Sequence, residues 1–230
     1  MKNSVAIIQA RMGSARLPGK ALLPIGDSTP VLKHVIDRVR LSRVERVVVA
    51  TPETEADSAI WRACDAWGVE CISWPDEFDV LQRFDAAMTQ TMATTIVRIT
   101  ADCPLIDPIV IDAVLDEHSK GGADYTSNVQ TRTFPDGYDV EVFTSRLLAS
   151  VNERTGDTDA RREHVLAQLL PVTCAQRYLR CGLGDLGFWR FTLDTWPDYF
   201  KIGDLMNQHG KLLSLDGVVR AVKAGKVRPN

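Results

Sequence analysis

The chain has 230 residues and a net charge of −3, with 45% hydrophobic and 25% charged residues. That is the composition of one folded α/β-sized domain, and it excludes a generic nucleic-acid binder, whose footprint needs an excess of basic charge. No apolar run approaches the roughly 18 residues of a membrane span, and the N-terminus carries no secretory h-region, so the cytoplasm is the expected compartment. Cys64, Cys71, Cys103, Cys174 and Cys181 lack Cys-x-x-Cys spacing and read as free thiols rather than a zinc site.

In chain order, the apolar run at residues 5–8 predicts a buried parallel strand, followed by a glycine-containing basic loop over 9–20. Thr29 and Pro30 read as an N-cap and first helical position, before a stripe of Val31, Leu32, Val35, Ile36 and Val39. Strands are expected at 47–50, 69–74 and 96–100, and helices at 57–67, 79–90 and 108–119. This βαβ rhythm predicts an α/β fold with a doubly wound, mostly parallel sheet. It changes after Gly121 and Gly122. Residues 124–128 look extended, Pro135-Asp136-Gly137 is a turn, and 138–143 alternate as a half-buried strand. Helical patterns follow over 145–153 and 159–170, a strand over 172–179, a core-like run over 188–193 that places Asp194 at a strand end, and two helices over 198–209 and 215–224. Three of the four histidines, His34, His118 and His209, are expected on helix surfaces. The whole chain, 1–230, reads as one domain, with about 124–180 inserted as a smaller hairpin and helix lobe.

The loop after the first strand holds Arg11, Gly13, Ser14, Arg16, Gly19 and Lys20. Glycines let backbone amides approach an anion, and successive amides form a nest for one. Three cations at the carboxyl end of a strand, where α/β sheets bind ligands, suit a triphosphate. The spacing is neither a Walker loop nor a dinucleotide Gly-x-Gly-x-x-Gly.

The segment Arg11-Met-Gly-Ser14-Ala-Arg16-Leu-Pro-Gly-Lys20 resembles the first signature of the cytidylyltransferases that activate acidic sugars, the CMP-Kdo and CMP-neuraminate synthetases, and is most similar to the branch of spore coat polysaccharide biosynthesis protein F. Residues 96–108, 139–143, 162–165 and 193–195 match further segments in family order. The resemblance implies a Rossmann-like, GT-A-type sheet and a homodimer. It also implies an Mg²⁺-dependent transfer of CMP from CTP to an acidic sugar acceptor, with release of pyrophosphate. Asp102 and Asp194 are then the metal ligands, in keeping with Mg²⁺ as a hard cation held by one or two carboxylates and phosphate oxygens.

In that chemistry Arg16 and Lys20 serve the β- and γ-phosphates, and Arg11 lies nearer the α-phosphate and acceptor. With Asp102 these form the expected catalytic set. Ala10, Gly13, Ser14, Arg98 and Thr100 complete the nucleotide site. An acidic sugar needs a cation for its carboxylate, which Arg162 or His164 can supply, and hydroxyl partners such as Tyr125, Asn128, Asp139 and Glu141. Asp139 and Glu141 share a strand face, which suits either a second metal ligand or hydroxyl binding. Two other functions compete. A GT-A glycosyltransferase usually carries Asp-x-Asp where this chain has Asp102-Cys103-Pro104. A non-catalytic sugar or nucleotide binder has no need to keep Arg11, Arg16, Lys20, Asp102 and Asp194 together.

Overall fold

A computed structural model describes residues 3–166 and 168–229. Strand β1 (Ser4–Gln9) leads into the basic loop, a two-stranded ribbon β2 (Pro24–Ile25) and β3 (Thr29–Pro30), and helix α1 (Val31–Val39). Then come β4 (Arg46–Pro52), α2 (Ser58–Ala66), β5 (Glu70–Trp74), α3 (Val80–Thr91), β6 (Thr95–Thr100), α4 (Pro108–Ser119), β7 (Tyr125–Ser127), β8 (Glu141–Thr144) and α5 (Ser145–Arg154). A 3-10 turn (Ala160–His164), β9 (Gln176–Tyr178), α6 (Trp196–His209) and α7 (Leu215–Lys223) complete the chain.

The seven-stranded sheet has the order β5-β4-β1-β6-β8-β7-β9. Strands β5, β4, β1 and β6 run parallel, β8 is antiparallel to both its neighbours, and β9 runs parallel to β7. The α/β, mostly parallel architecture is therefore as expected. Two cores follow from the alternation of side chains along each strand. Ala6, Ile8, Val49, Val97, Ile99 and Val142 face α1, α4 and the C-terminal helices. Val5, Ile7, Val48, Ile96, Tyr125 and Phe143 face α3, α5 and the Val165–Leu166 corner. Burial on both faces explains why the central strands read as unbroken apolar runs. No helix of the described residues is long and apolar enough to cross a membrane.

Four local expectations change. Thr29 and Pro30 pair with Ile25 and Pro24 instead of opening the helix, because Gly26 (φ 60°) and Ser28 (φ 69°) turn the chain back on itself; Pro30 itself takes the N-cap place. The helix over 159–170 is reduced to the 3-10 turn Ala160–His164. Arg162 is drawn into the core by Asp79, and Val165 adopts φ 57°, which a helix does not accommodate. The run over 188–193 is not a strand of the sheet. It crosses beside the turn at Gly137, with Phe191 N–H donating to Asp136 O (2.7 Å) and Leu193 N–H to Asp102 O (2.8 Å). Finally, His34 and His118 are buried, against Ile25 O and Thr126 Oγ1.

Candidate active site

Every parallel strand of the sheet ends on the same side, and the basic loop leaves β1 there. A cleft of about 500 Å³ opens between the loop, the ends of β1 and β6, the start of α3, residues 163–164 and Asp194. The loop is folded on its own carbonyl. Met12 O accepts from Ser14 N–H (2.9 Å) and Gly19 N–H (3.0 Å), and Gly19 takes φ 72° to start the short turn that carries Lys20. Asp57, buried at the head of α2, receives Met12 N–H at 2.7 Å and Thr54 Oγ1–H at 2.6 Å. The amides of Gly13, Ala15 and Arg16 have no protein acceptor among the described residues. Of these, Ala15 and Arg16 line the cleft, where unpaired donors suit an anion.

The electrostatic centre is Lys20. Its ammonium donates to Asp102 Oδ2 and Asp194 Oδ1, both at 2.8 Å, and to Leu193 O at 2.9 Å. Two carboxylates 92 positions apart in the chain thus converge on one cation. Burial alone would lower the Lys20 pKa, but the two carboxylates outweigh it and hold the pKa above its ordinary value. Asp194 shows the mirror effect. Burial would raise it, while Lys20, Arg16 and Arg190 together bring it below the usual carboxylate range. Arg16 reaches Asp194 Oδ2 at 2.9 Å with 64% of its side chain exposed. Arg190 bridges Asp194, Asp198 and Asp136. Asp198 in turn closes a capping box with Thr195 at the start of α6. The segment that delivers Asp194 is therefore fixed by a helix cap and a charge network instead of by a strand.

The other expected residues divide. Ala10, Arg11, Ser14, Arg16, Lys20, Thr100, Asp102, His164 and Asp194 line the cleft. Arg11 stands between Glu163 Oε1 (3.2 Å) and Glu77 Oε1 (3.6 Å). Gly13 packs on Glu77, whose Oε1 would lie 2.4 Å from an added Cβ, so a side chain there would displace the partner of Arg11. Tyr125, Asn128 and Glu141 are buried and held by protein groups. The Tyr125 hydroxyl donates to Glu141, Arg98 Nη1 donates to the other Glu141 oxygen, and the Asn128 amide bridges Tyr138 O and Val140 N–H. Arg162 is buried too, forked onto Asp79 at 2.8 and 2.9 Å and bonded to Asn152 and Thr155, which removes it from an acceptor's reach. Asp139 takes both Nη groups of Arg132 at 2.9 Å, and burial raises its pKa in spite of that partner.

Gln9, Glu77, Arg83 and Arg190 look like ordinary strand-end, loop or helix residues in the sequence, and only the tertiary fold brings them to the site; Glu163, in the 162–165 segment that resembles the family, joins them there. Asp57 stands at the N-cap of α2, where an aspartate commonly caps the helix, yet its side chain makes no cap bond and anchors the loop instead.

Residues 5–169 match the family model described as cytidylyltransferase. The spore coat polysaccharide biosynthesis protein SpsF of Bacillus subtilis is 32% identical over 219 residues, 92% of this chain and 89% of that protein. Among solved structures, a cytidylyltransferase from Leptospira borgpetersenii superposes with a TM-score of 0.90 at 30% identity, covering 100% of this chain and 98% of that one. A CMP:2-keto-3-deoxy-manno-octonic acid synthetase complexed with CTP shares the fold, with a TM-score of 0.69, 21% identity and coverage of 90% and 99%. The loop signature, the sheet that presents it and the likeness along nearly the whole chain agree: this protein is an enzyme of the cytidylyltransferase family.

Proposed function

We propose that the enzyme transfers CMP from CTP to an acidic sugar in surface polysaccharide or glycoconjugate synthesis, releasing pyrophosphate. The observation that carries this reading is the convergence of Asp102 and Asp194 on a cation beside the basic loop. The donor set fits Mg²⁺, since two carboxylates already accommodate a positive charge and the oxygens are hard ligands. When bound there, Mg²⁺ would neutralise charge on the triphosphate and on the departing pyrophosphate. The chain's own groups do the positioning. Arg16, largely exposed at the rim, can exchange its Asp194 partner for phosphate oxygens, and the Ala15 and Arg16 amides add uncharged donors. Lys20 supplies a point charge once its carboxylates have another partner. Arg11 stays oriented by Glu77 and Glu163 toward the reacting end. His164 lines the cleft, which supports a reading in which the 124–180 segment of a single nucleotidyltransferase domain binds the acceptor.

The relationship to SpsF and the CTP complex of the similarly folded synthetase support this reading. A pyrophosphate-release screen of CTP, UTP, GTP and ATP against sugar acids, with and without Mg²⁺, tests it. Release with CTP and a sugar acid only, dependent on Mg²⁺, is expected. Equal release with all four nucleotides, or with a neutral sugar phosphate alone, would overturn it. The same reading includes the homodimer implied by the family resemblance, measurable by light scattering.

A further inference from the structure

Gln9 ends β1, is half-buried and lines the cleft. Arg98 Nε donates to its Oε1 at 2.9 Å. A guanidinium carries donors only, so the amide has one possible direction: oxygen toward Arg98, nitrogen away from it. Among the described residues no group accepts from Gln9 Nε2. Behind Arg98 the arrangement is closed. Its Nη1 donates to Glu141, and the Tyr125 hydroxyl donates to the other oxygen of the same carboxylate. Glu141 is 4% exposed and Tyr125 0%.

The row Gln9–Arg98–Glu141–Tyr125 runs across β1, β6, β8 and β7, which are adjacent in the sheet, on the face covered by α3 and α5. The hydrogen bonds along it run one way. The tyrosine gives to the carboxylate, the arginine gives to the carboxylate and to the amide oxygen, and the amide is left to give into the cleft. Glu141 cancels the charge of Arg98, so what reaches the cleft is an uncharged N–H₂ that accepts nothing.

We propose that Gln9 is a specificity-determining residue that donates its Nε2 hydrogens to a proton-free anionic oxygen of the substrate, with Arg98, Glu141 and Tyr125 as its positioning residues. This rests on the cleft being the CTP and sugar-acid site. The oxygen belongs either to a CTP phosphate or to the acceptor's carboxylate, and two measurements separate these sources. Gln9→Glu keeps an oxygen for Arg98 and replaces the donor with a second carboxylate oxygen. Gln9→Met removes both functions and serves if the first variant does not fold. CTP affinity is measured by titration calorimetry with Mg²⁺. The KM for 3-deoxy-manno-octulosonate and for N-acetylneuraminate is measured by pyrophosphate release.

A loss of at least about ten-fold, the scale of a hydrogen bond to a charged group, is expected in one of these two arms, with folding intact by circular dichroism. Loss of CTP affinity assigns the contact to the nucleotide, and a raised sugar-acid KM at unchanged CTP affinity assigns it to the acceptor. Wild-type values in both arms overturn the proposal. If the wild type binds CTP but turns over neither sugar acid, the acceptor reading fails on its own, and the CTP arm alone decides whether Gln9 binds substrate.

Discussion

Replacing Lys20 by methionine keeps most of the unbranched side chain and removes the charge that joins Asp102 to Asp194. Breaking a fully buried ion pair costs about 3–5 kcal/mol, because the remaining charge is left uncompensated. Here the cost is smaller for two reasons. Asp102 keeps 24% of its side chain in solvent, and Asp194 retains Arg16 and Arg190. About 2–3 kcal/mol is the resulting expectation, which for a chain of this size lowers Tm by about 5–10 °C. The same vacancy should make the carboxylates a better cation site. Mg²⁺ at about a hundred times its Kd returns about 2.7 kcal/mol, so Mg²⁺ should raise the Tm of the variant more than that of the wild type, where the ammonium competes. Differential scanning calorimetry at pH 7, with EDTA and then with Mg²⁺, reads both effects. Turnover should fall by about two orders of magnitude, as when a charge-stabilising donor is removed from a water-poor site. An unchanged Tm in EDTA would show that Lys20 contributes nothing net to the folded state. Equal Mg²⁺ stabilisation of both proteins would show that Asp102 and Asp194 are not a cation site.

Arg16→Ala separates catalysis from stability: with an exposed side chain, its loss should leave Tm within about 1 °C while turnover in the pyrophosphate-release assay falls about 100-fold. Arg162→Met should do the reverse, leaving Asp79 buried without its partner and lowering urea-unfolding stability by about 3 kcal/mol; wild-type stability with a raised acceptor KM would restore Arg162 to the substrate. The pH dependence of unfolding has a definite sign. Asp194 and Asp198 have folded pKa values below their ordinary range, so their contribution is present above about pH 4 and is lost as pH falls through the folded values. Lys20 has a raised value, so its contribution is present below about pH 10.4 and is lost as pH rises through the folded value. Urea titrations across the pH range should therefore show an alkaline loss in the wild type that is reduced in Lys20→Met.

The parts of the molecule that were legible are those decided by neighbours in the chain. Helix α4 begins where expected because Asp107 accepts from Ile109 N–H and Pro108 occupies the first turn, both local facts. The loop from Arg11 to Lys20 could be recognised because its chemistry is contained in ten consecutive residues. The surroundings of the expected acceptor residues were not legible, for the opposite reason. Tyr125, Asn128, Glu141 and Arg162 are the right kinds of side chain to hold a sugar, but the partner that occupies Arg162 is 83 positions away, and the one that occupies Arg98 on the Gln9 side is 89 away. One signal does lie in the sequence. Gln9 has the parity of Val5 and Ile7, Arg98 that of Ile96, and Glu141 that of Phe143. Each polar residue therefore stands on the face of a buried strand that its apolar neighbours cover. A buried charge must be paired, so parity alone demands that these residues find polar partners inside. Which partners they find depends on the strand order β1-β6-β8, and that order is a property of the fold. The antiparallel insertion of β8 beside β6 sets Glu141 directly opposite Arg98. The same step ties Glu141 to Arg98, and through it to the Gln9 amide at the cleft wall.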